Sequence, residues 1–149
     1  MPAFRTASEE ETIALGEALA RDLPPRAVVL LIGNLGAGKT TLAKGIVKGL
    51  GAGDPDQVSS PTFTLIHEYP VANSKASGGL KVYHVDLYRL DRAGEVARLG
   101  LDELFEKAAA VLIEWGEKFP QLMPAERIEI HIQADAGDQR EITVTSITS

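Results

Sequence analysis

The stretch that decides the fold is GNLGAGKTTLAKGI, residues 33–46. Its first eight residues match the P-loop pattern G-x-x-x-x-G-K-[ST] in full. Glycines allow the backbone to turn successive N–H groups inward, towards a bound anion. A helix that begins near Lys39 presents the positive end of its dipole to the same anion. The pattern therefore predicts a phosphate-binding loop, with Lys39 as a point charge and the Thr40 hydroxyl as a ligand for Mg²⁺.

The residues on either side of this loop have the required character. AVVLLIG, residues 27–33, is a continuous apolar run, which is typical of a strand buried on both faces of a sheet. Residues 39–50 predict the helix that leaves the loop, and Gly51, Gly53 and Pro55 end it. A chance match in a glycine-containing turn would lack this context. We find no NKxD-like stretch of the kind that reads guanine, which favours ATP as the nucleotide.

The remaining patterns predict a mixed α/β architecture. Ser8 is a suitable N-cap for a helix that Pro24 and Pro25 end. KVYHVD and AAAVLIE predict strands that end at Asp86 and Glu114, and residues 91–107 have helical spacing with a break at Gly100. Residues 58–70 read as a loop that leads into a strand, and residues 72–80 as a hairpin connection. RIEIHIQ and REITVTSI alternate on either side of DAGDQ, which predicts a C-terminal hairpin.

Length and composition predict one soluble domain. The 149 residues suit a single P-loop NTPase domain, residues 1–149, with a mixed β-sheet flanked by helices. The absence of cysteine excludes disulfides and thiolate chemistry. Acidic residues near the N-terminus and the shortness of the apolar runs predict a cytoplasmic chain without membrane segments. The net charge of −6 argues against stand-alone nucleic-acid binding, so we expect any role near RNA to depend on a protein partner.

Two acidic residues at strand ends are the candidate catalytic carboxylates. Asp86 and Glu114 each follow a hydrophobic strand, at the sheet edge where ligands bind in α/β folds. One could hold Mg²⁺ while the other orients an attacking water. The pattern does not assign the two roles, and either residue could instead be an ordinary exposed acid.

Aromatic, histidine and hydroxyl residues are further candidates for the site. Trp115 beside Glu114 could contact the nucleotide or could pack at the rim of the core. His84 is expected to be a packed or exposed histidine and not a ligand, while His67 and His131 are assigned no role. The run SSPT, residues 59–62, could be a switch loop that senses the γ-phosphate or a simple turn into a strand.

The order of motifs resembles that of the TsaE family, also called YjeE. The motifs are GNLGAGKTTLAKGI, SSPTFTL, HVDLYRL, LGLDELF and IEWGEK, and the resemblance covers nearly the whole chain. The P-loop alone is unspecific, whereas SPTFTL, HVDLYRL and IEW in this order are highly specific. The resemblance implies a small Mg²⁺-dependent ATPase needed to form N6-threonylcarbamoyladenosine at position 37 of tRNA. It implies TsaD and TsaB as protein partners and only indirect contact with tRNA.

The resemblance also implies site roles. Lys39 and Thr40 would bind phosphates and Mg²⁺, and Thr41 would support the α-phosphate side. Asp86 would be the catalytic acid that positions water, together with Lys39 as a catalytic charge, and Glu114 would be the second carboxylate, associated with Mg²⁺. The other nucleotide-binding residues implied are Asn34, Leu35, Gly36, Ala37 and Gly38 in the loop, Thr62 in the switch-like segment, Trp115 beside the nucleotide, and Glu9, Glu117 and Arg140 on the base and ribose side. Asn34 stands where the family often has an acid.

Two other functions remain open from the residues. A small-molecule kinase would use the same loop and acids, and Arg89, Arg92 and Arg98 could form the lid that such an enzyme needs to exclude water. A nucleotide-binding switch without useful hydrolysis would also carry these motifs.

Overall fold

A seven-stranded mixed sheet organises the chain in the computed structural model, which describes residues 2–61, 64–72 and 80–147. The strand order across the sheet is β1-β7-β6-β2-β5-β4-β3. The strands are β1 (Ala3–Thr6), β2 (Ala27–Ile32), β3 (Ile66–Pro70), β4 (Lys81–Asp86), β5 (Ala110–Glu114), β6 (Arg127–Ala134) and β7 (Arg140–Ile147). The helices are α1 (Glu9–Ala20), α2 (Lys39–Gly49), α3 (Ala93–Ala97) and α4 (Leu101–Lys107).

The centre of the sheet is parallel and its edges are antiparallel. β2 pairs in parallel with β5 and with β6, and β5 pairs in parallel with β4. β3, β7 and β1 pair antiparallel with their neighbours. The central strands are buried on both faces, which explains their continuous apolar sequences. Because β2, β4 and β5 run in the same direction, their carboxyl ends meet at one edge of the sheet.

Helices cover both faces of the sheet, and two hydrophobic clusters result. Alternate residues of β2, β4 and β5, such as Val29, Val82 and Leu112, pack in the cluster that includes α2 residues Leu42 and Ile46. The intervening residues face the second cluster, to which α3 and α4 contribute. Thus α1 and α2 lie on the same face of the sheet as Asp86 and Glu114, the last residues of β4 and β5.

Local sequence determines where α1 begins. The Ser8 backbone is extended, and its Oγ accepts a hydrogen bond of 3.1 Å from the backbone N–H of Glu11. The Glu11 carboxylate accepts in turn from the N–H of Ala7, so two backbone donors at the helix start are satisfied. The predicted cap at Ser8 is confirmed.

Most predicted elements are present, with one strand missed. The strand before the loop, the break at Gly100 and the terminal hairpin are all observed. The antiparallel pairing of β3 with β4 confirms a hairpin, although residues 73–79 of its connection lie outside the described residues. The missed element is β1, whose four residues carry too short a pattern to read and which pairs with β7 from the other end of the chain.

In the part of the chain that the structure describes, no helix combines the length and apolarity needed to cross a membrane.

Candidate functional site: a cavity at the carboxyl edge of the sheet

A cavity of about 420 Å³ opens where β2, β4 and β5 end and α2 begins. Backbone segments that are far apart in sequence form its walls: the loop after β2, the first turns of α1, the ends of β4 and β5, and the start of β7. The residues that line it are Glu9, Thr12, Leu35, Gly36, Gly38, Lys39, Thr40, Thr41, Ser60, Asp86, Tyr88, Glu114, Trp115, Asp138 and Arg140.

The loop after β2 has backbone geometry suited to an anion. Gly38 has φ +106° and Gly36 has φ +80°, a region that residues with a side chain rarely adopt. The helix α2 begins at the next residue, Lys39, and no side chain caps it. The first N–H groups of α2 are therefore available to a ligand, at the positive end of the helix dipole.

Lys39 is buried in this loop, with 4% of its surface exposed. Its Nζ donates a hydrogen bond of 2.8 Å to the carbonyl oxygen of Gly33. Burial lowers the pKa of the Lys39 ammonium, and nearby carboxylates oppose this shift. Those carboxylates are Glu114, Glu117 and Asp86. A partly desolvated cation with few protein partners would gain most from an anionic ligand.

Trp115 forms the wall beside this lysine. Lys39 Nζ lies 3.5 Å from the centroid of the Trp115 ring, a cation–π contact. The Trp115 backbone is in the left-handed region, with φ +67°, and the Tyr88 ring packs 5.1 Å from the Trp115 ring. Trp115 also packs against the second hydrophobic cluster. The two interpretations of this residue are therefore compatible, because it packs on the core and lines the cavity.

The two strand-end carboxylates lie side by side. Asp86 and Glu114 are opposite each other in the β4–β5 register, and each is 4% exposed. Asp86 Oδ1 accepts a hydrogen bond from the backbone N–H of Tyr88, and its Oδ2 accepts from the Ser60 hydroxyl at 3.0 Å. These contacts orient Asp86 towards the loop that precedes β3, and they exclude the interpretation of Asp86 as an ordinary exposed acid.

Glu114 has different partners on its Oε2 atom. The Thr40 hydroxyl donates to this oxygen at 3.1 Å, and His84 Nε2 lies 2.6 Å from it. Because the Thr40 hydrogen is directed to the carboxylate, the lone pairs of Thr40 Oγ1 remain free for another ligand. Glu114 is also 4% exposed and is no ordinary surface acid.

The arrangement suits a magnesium ion, whose ligands would be hydroxyl and phosphate oxygens. Hard cations prefer oxygen, and Mg²⁺ usually keeps waters and takes one or two protein ligands beside substrate phosphates. Thr40 Oγ1 and the Glu114 carboxylate offer such oxygens at the cavity wall. Within residues 2–61, 64–72 and 80–147 there is no group of three or more His, Cys, Asp or Glu side chains that would hold a metal without a substrate.

Arg140 connects the terminal hairpin to the loop. Its Nε donates a hydrogen bond of 2.8 Å to the carbonyl oxygen of Ala37, and its Nη1 donates to the carbonyl oxygens of Gly137 and Gln139. Its side chain also passes beside Gly38. The guanidinium is thus fixed against the loop at the wall of the cavity, which Glu9 and Thr41 also line.

Some predicted site residues lie elsewhere. Asn34 and Ala37 line a neighbouring cavity of about 390 Å³ together with the β6–β7 hairpin, and Leu35 and Gly36 border both cavities. Glu117 is not among the residues that line the cavity of about 420 Å³. Thr62 lies outside the described residues. The roles of these residues stay predictions.

Glu117 is nevertheless unusual. Burial raises the pKa of its carboxyl group, and a hydrogen bond with its own backbone and the nearby Lys39 charge oppose that shift only in part. Its Oε1 atom is buried and has no hydrogen-bond partner in the described part of the chain. A carboxylate in this state destabilises the fold when it is ionised.

The structure brings residues to the site that sequence reasoning did not select. These residues are Thr12, Tyr88 and Asp138, which line the cavity. Ser60, which belongs to the predicted switch-like run 59–62, donates its hydroxyl hydrogen to Asp86. Two of these residues could have been found from their distance to a predicted feature. Tyr88 follows Asp86 by two residues, and Thr12 lies about one helical turn after the Ser8 cap. His84 was expected to be a packed or exposed histidine; it is fully buried, yet it contacts Glu114.

The arginines considered as a kinase lid do not reach this cavity. Arg92 and Arg98 line a separate cleft at α3, and Arg89 is absent from the residues that line the cavity.

Four features of the site define a P-loop nucleotide-binding protein. They are a buried strand, a glycine loop with a lysine at its end, a helix start without a side-chain cap, and two acids at the ends of the adjacent strands. Comparison with known proteins narrows the class. The family model described as "Threonylcarbamoyl adenosine biosynthesis protein TsaE" matches residues 6–142. The chain therefore belongs to the TsaE family.

Curated relatives and a solved structure agree with this assignment. The chain is 42% identical over 144 residues to tRNA threonylcarbamoyladenosine biosynthesis protein TsaE of Bacillus subtilis, covering 97% of this chain and 85% of the relative. It is 41% identical over 148 residues to the protein of the same name from Nostoc sp., covering 95% and 85%. The crystal structure of Bacillus subtilis YdiB superposes with a TM-score of 0.76 at 37% identity, covering 98% of this chain and 85% of that one.

Proposed function

We propose that this protein is a Mg²⁺-dependent ATPase that supports N6-threonylcarbamoyladenosine formation at tRNA position 37, acting on a TsaB–TsaD complex. The observation that carries the proposal is the meeting of Lys39, Thr40, Asp86 and Glu114 at one cavity that is open to a nucleotide. Membership of the TsaE family, and the names of its curated relatives, support the link to tRNA modification.

Lys39 and the start of α2 would bind the phosphates. The direct contacts of the Lys39 ammonium are the carbonyl oxygen of Gly33 and the Trp115 ring, neither of which carries a charge. A phosphate would replace them with a full charge in a partly desolvated site, where electrostatic interactions are stronger than in water. The uncapped N–H groups of α2 add donors that need no reorganisation.

The two carboxylates would have separate roles. Glu114 accepts a hydrogen bond from Thr40, so we place both residues beside the site of Mg²⁺. A magnesium ion held there would supply positive charge to offset the negative charge on the phosphates. Asp86 accepts hydrogen bonds from Ser60 and from the backbone N–H of Tyr88, partners that differ from those of Glu114, so we assign it to orienting the attacking water.

Surface character supports a function through protein partners. The net charge of −6 does not favour binding of tRNA by this protein alone. Among the described residues, the large apolar side chains that are exposed are Leu35 (72%) and Tyr88 (45%), and both border the cavity. A partner that covered them would bury apolar surface and would also close the site against water. TsaB and TsaD are the partners we propose.

Hydrolysis assays test the enzymatic part. We expect a weak basal ATPase rate that rises clearly when the purified TsaB–TsaD pair is added. Lys39→Ala should lower the stimulated rate at least about a hundredfold, the value of one preorganised electrostatic contact. Lys48→Ala is the matched control, because Lys48 lies on the same helix but is exposed and pairs with Glu17 on α1. Thermal melts of both variants check that they fold.

The outcomes separate the competing functions. A rate that the pair leaves unchanged would contradict the partner assignment, and phosphoryl transfer to an acceptor other than water would favour a kinase. Tight ATP binding without turnover, even with the pair present, would favour a switch. In cells, loss of the protein or Lys39→Ala should lower threonylcarbamoyladenosine in tRNA, and unchanged levels would contradict the proposed role in tRNA modification.

A further inference from the structure

His84 occupies a place in the core where an apolar residue would be expected. Along β4, the residues Val82, His84 and Asp86 lie on one face of the strand, and Val82 belongs to the cluster beneath α1 and α2. His84 has no exposed surface. Burying an imidazole at such a position is unfavourable unless its polar atoms have partners.

One ring nitrogen of His84 has a partner and the other has none. Nε2 lies 2.6 Å from Glu114 Oε2, and because a carboxylate only accepts, this nitrogen carries the hydrogen. Nδ1 is buried and has no hydrogen-bond partner among the described residues. The chain thus tolerates an unsatisfied nitrogen in its core at the position that brings Nε2 to Glu114. An apolar side chain in its place would fill the core without that penalty.

The same carboxylate oxygen receives the hydroxyl of Thr40. Glu114 Oε2 therefore accepts from two donors, His84 Nε2 on β4 and Thr40 Oγ1 on α2. The short contact with His84 limits rotation of the carboxylate, and the fixed carboxylate in turn selects one orientation of the Thr40 hydroxyl. Hydrogen bonds of this kind behind a ligand typically change metal affinity or activity by about 10–100-fold when they are removed.

We propose that His84 is a positioning residue of the nucleotide site: through Glu114 it holds the Thr40 hydroxyl so that the oxygen lone pairs face the cavity. His84 itself contacts neither nucleotide nor metal. This inference rests on the proposed binding of a magnesium nucleotide, and it predicts that His84 matters for the Mg²⁺-dependent part of binding and not for the nucleotide alone.

Calorimetry of the full-length protein with ADP, with and without Mg²⁺, tests the inference. The ratio of the two dissociation constants isolates the contribution of the metal. We expect His84→Leu to reduce this ratio by about 10–100-fold while affinity for metal-free ADP changes little. His84→Gln should restore much of the ratio, because its amide can donate from a similar position. His67→Leu should match the wild type, since His67 lies opposite His84 on β3 and bonds to Tyr69.

A double-mutant cycle with Glu114→Gln shows whether His84 acts through Glu114. In that background His84→Leu should have little further effect on the ratio, because coupled residues are not additive. The inference is overturned if His84→Leu keeps the wild-type ratio, if His84→Gln is as deficient as His84→Leu, or if the loss is undiminished beside Glu114→Gln. Should the leucine variant fail to fold, His84→Met, which also lacks a hydrogen-bond donor and whose flexible side chain fills core space, takes its place in the comparison with His84→Gln and in the cycle.

Failure of the proposed function gives a different result. If wild-type protein bound ADP no more tightly with Mg²⁺ than without it, the magnesium-nucleotide function would be wrong, and this inference with it. If the wild type shows a clear ratio and His84→Leu preserves it, only the role of His84 is wrong.

Discussion

The contact between α1 and α2 gives a sharp prediction about Gly16. A Cβ atom added to Gly16 would lie 2.5 Å from the carbonyl oxygen of Leu42 and 3.1 Å from the Cα atom of Gly45. Real Cβ atoms essentially never come within 3.0 Å of another heavy atom, and the first distance is 0.5 Å below that limit. Because the obstructing atom belongs to the backbone, the two helices must move apart in Gly16→Ala.

The magnitude follows from two opposed effects. Overpacking of a tight core typically costs about 1–3 kcal/mol, and a clash with backbone places this site near the upper value. Alanine is favoured over glycine inside a helix by about 1 kcal/mol, which offsets part of the loss. The expected net loss is therefore about 2 kcal/mol, which lowers the melting temperature by about 4–8 °C for a chain of this size.

Gly94→Ala provides the matched control. Gly94 is also in a helix, α3, but a Cβ atom there would meet nothing within 4 Å. This variant should melt at or slightly above the wild-type temperature, since it gains helix propensity without a clash. Thermal denaturation followed by circular dichroism measures both variants. If Gly16→Ala melted as high as Gly94→Ala, the close helix crossing would be refuted.

The same substitution should affect the site. α1 carries Glu9 and Thr12 to the wall of the cavity, so a displaced α1 changes that wall. We expect Gly16→Ala to weaken nucleotide binding at a temperature where the variant is still folded.

Three further predictions concern the pH response, a helix cap and the hairpin contact. Glu117→Gln should raise the melting temperature at neutral pH. Because the pKa of Glu117 is raised in the folded protein, its ionised form destabilises the protein above that pKa. The gain in melting temperature should therefore shrink as pH falls towards the ordinary glutamate value of 4.5. An equal gain at every pH would contradict this. Ser8→Ala should lower stability by about 1 kcal/mol in urea denaturation, whereas Ser8→Asp, which also caps, should not. Arg140→Met removes the hydrogen bond to the Ala37 carbonyl and should weaken ATP binding in calorimetry; wild-type affinity would show that the loop does not depend on it.

Local sequence was sufficient for the elements around the phosphate loop. The apolar run of β2, the glycines and the start of α2 depend on interactions between neighbours in the chain, so the strand, the loop and the helix could all be predicted. The caps and the break at Gly100 are local in the same way. The acids Asp86 and Glu114 were predicted to meet because parallel strands bring their carboxyl ends to one edge.

Other features depend on residues that are distant in sequence. β1 is too short to be read alone and exists as a strand because β7 supplies its pairing partner. The close crossing of α1 and α2 requires glycines on both helices, and neither glycine by itself indicates the contact. A pattern within one element carries no information about the element that packs against it.

The partners of Glu114 show this division most clearly. By itself the sequence determined the loop, its lysine and threonine, and the strand that ends in Glu114. Only the tertiary structure decided that the Thr40 hydroxyl, 74 positions away, and the His84 ring, 30 positions away, would meet on the same carboxylate oxygen. The physical reason is that hydrogen-bond geometry depends on the positions of α2 and β4 relative to β5. Those positions are set by the packing of the whole core.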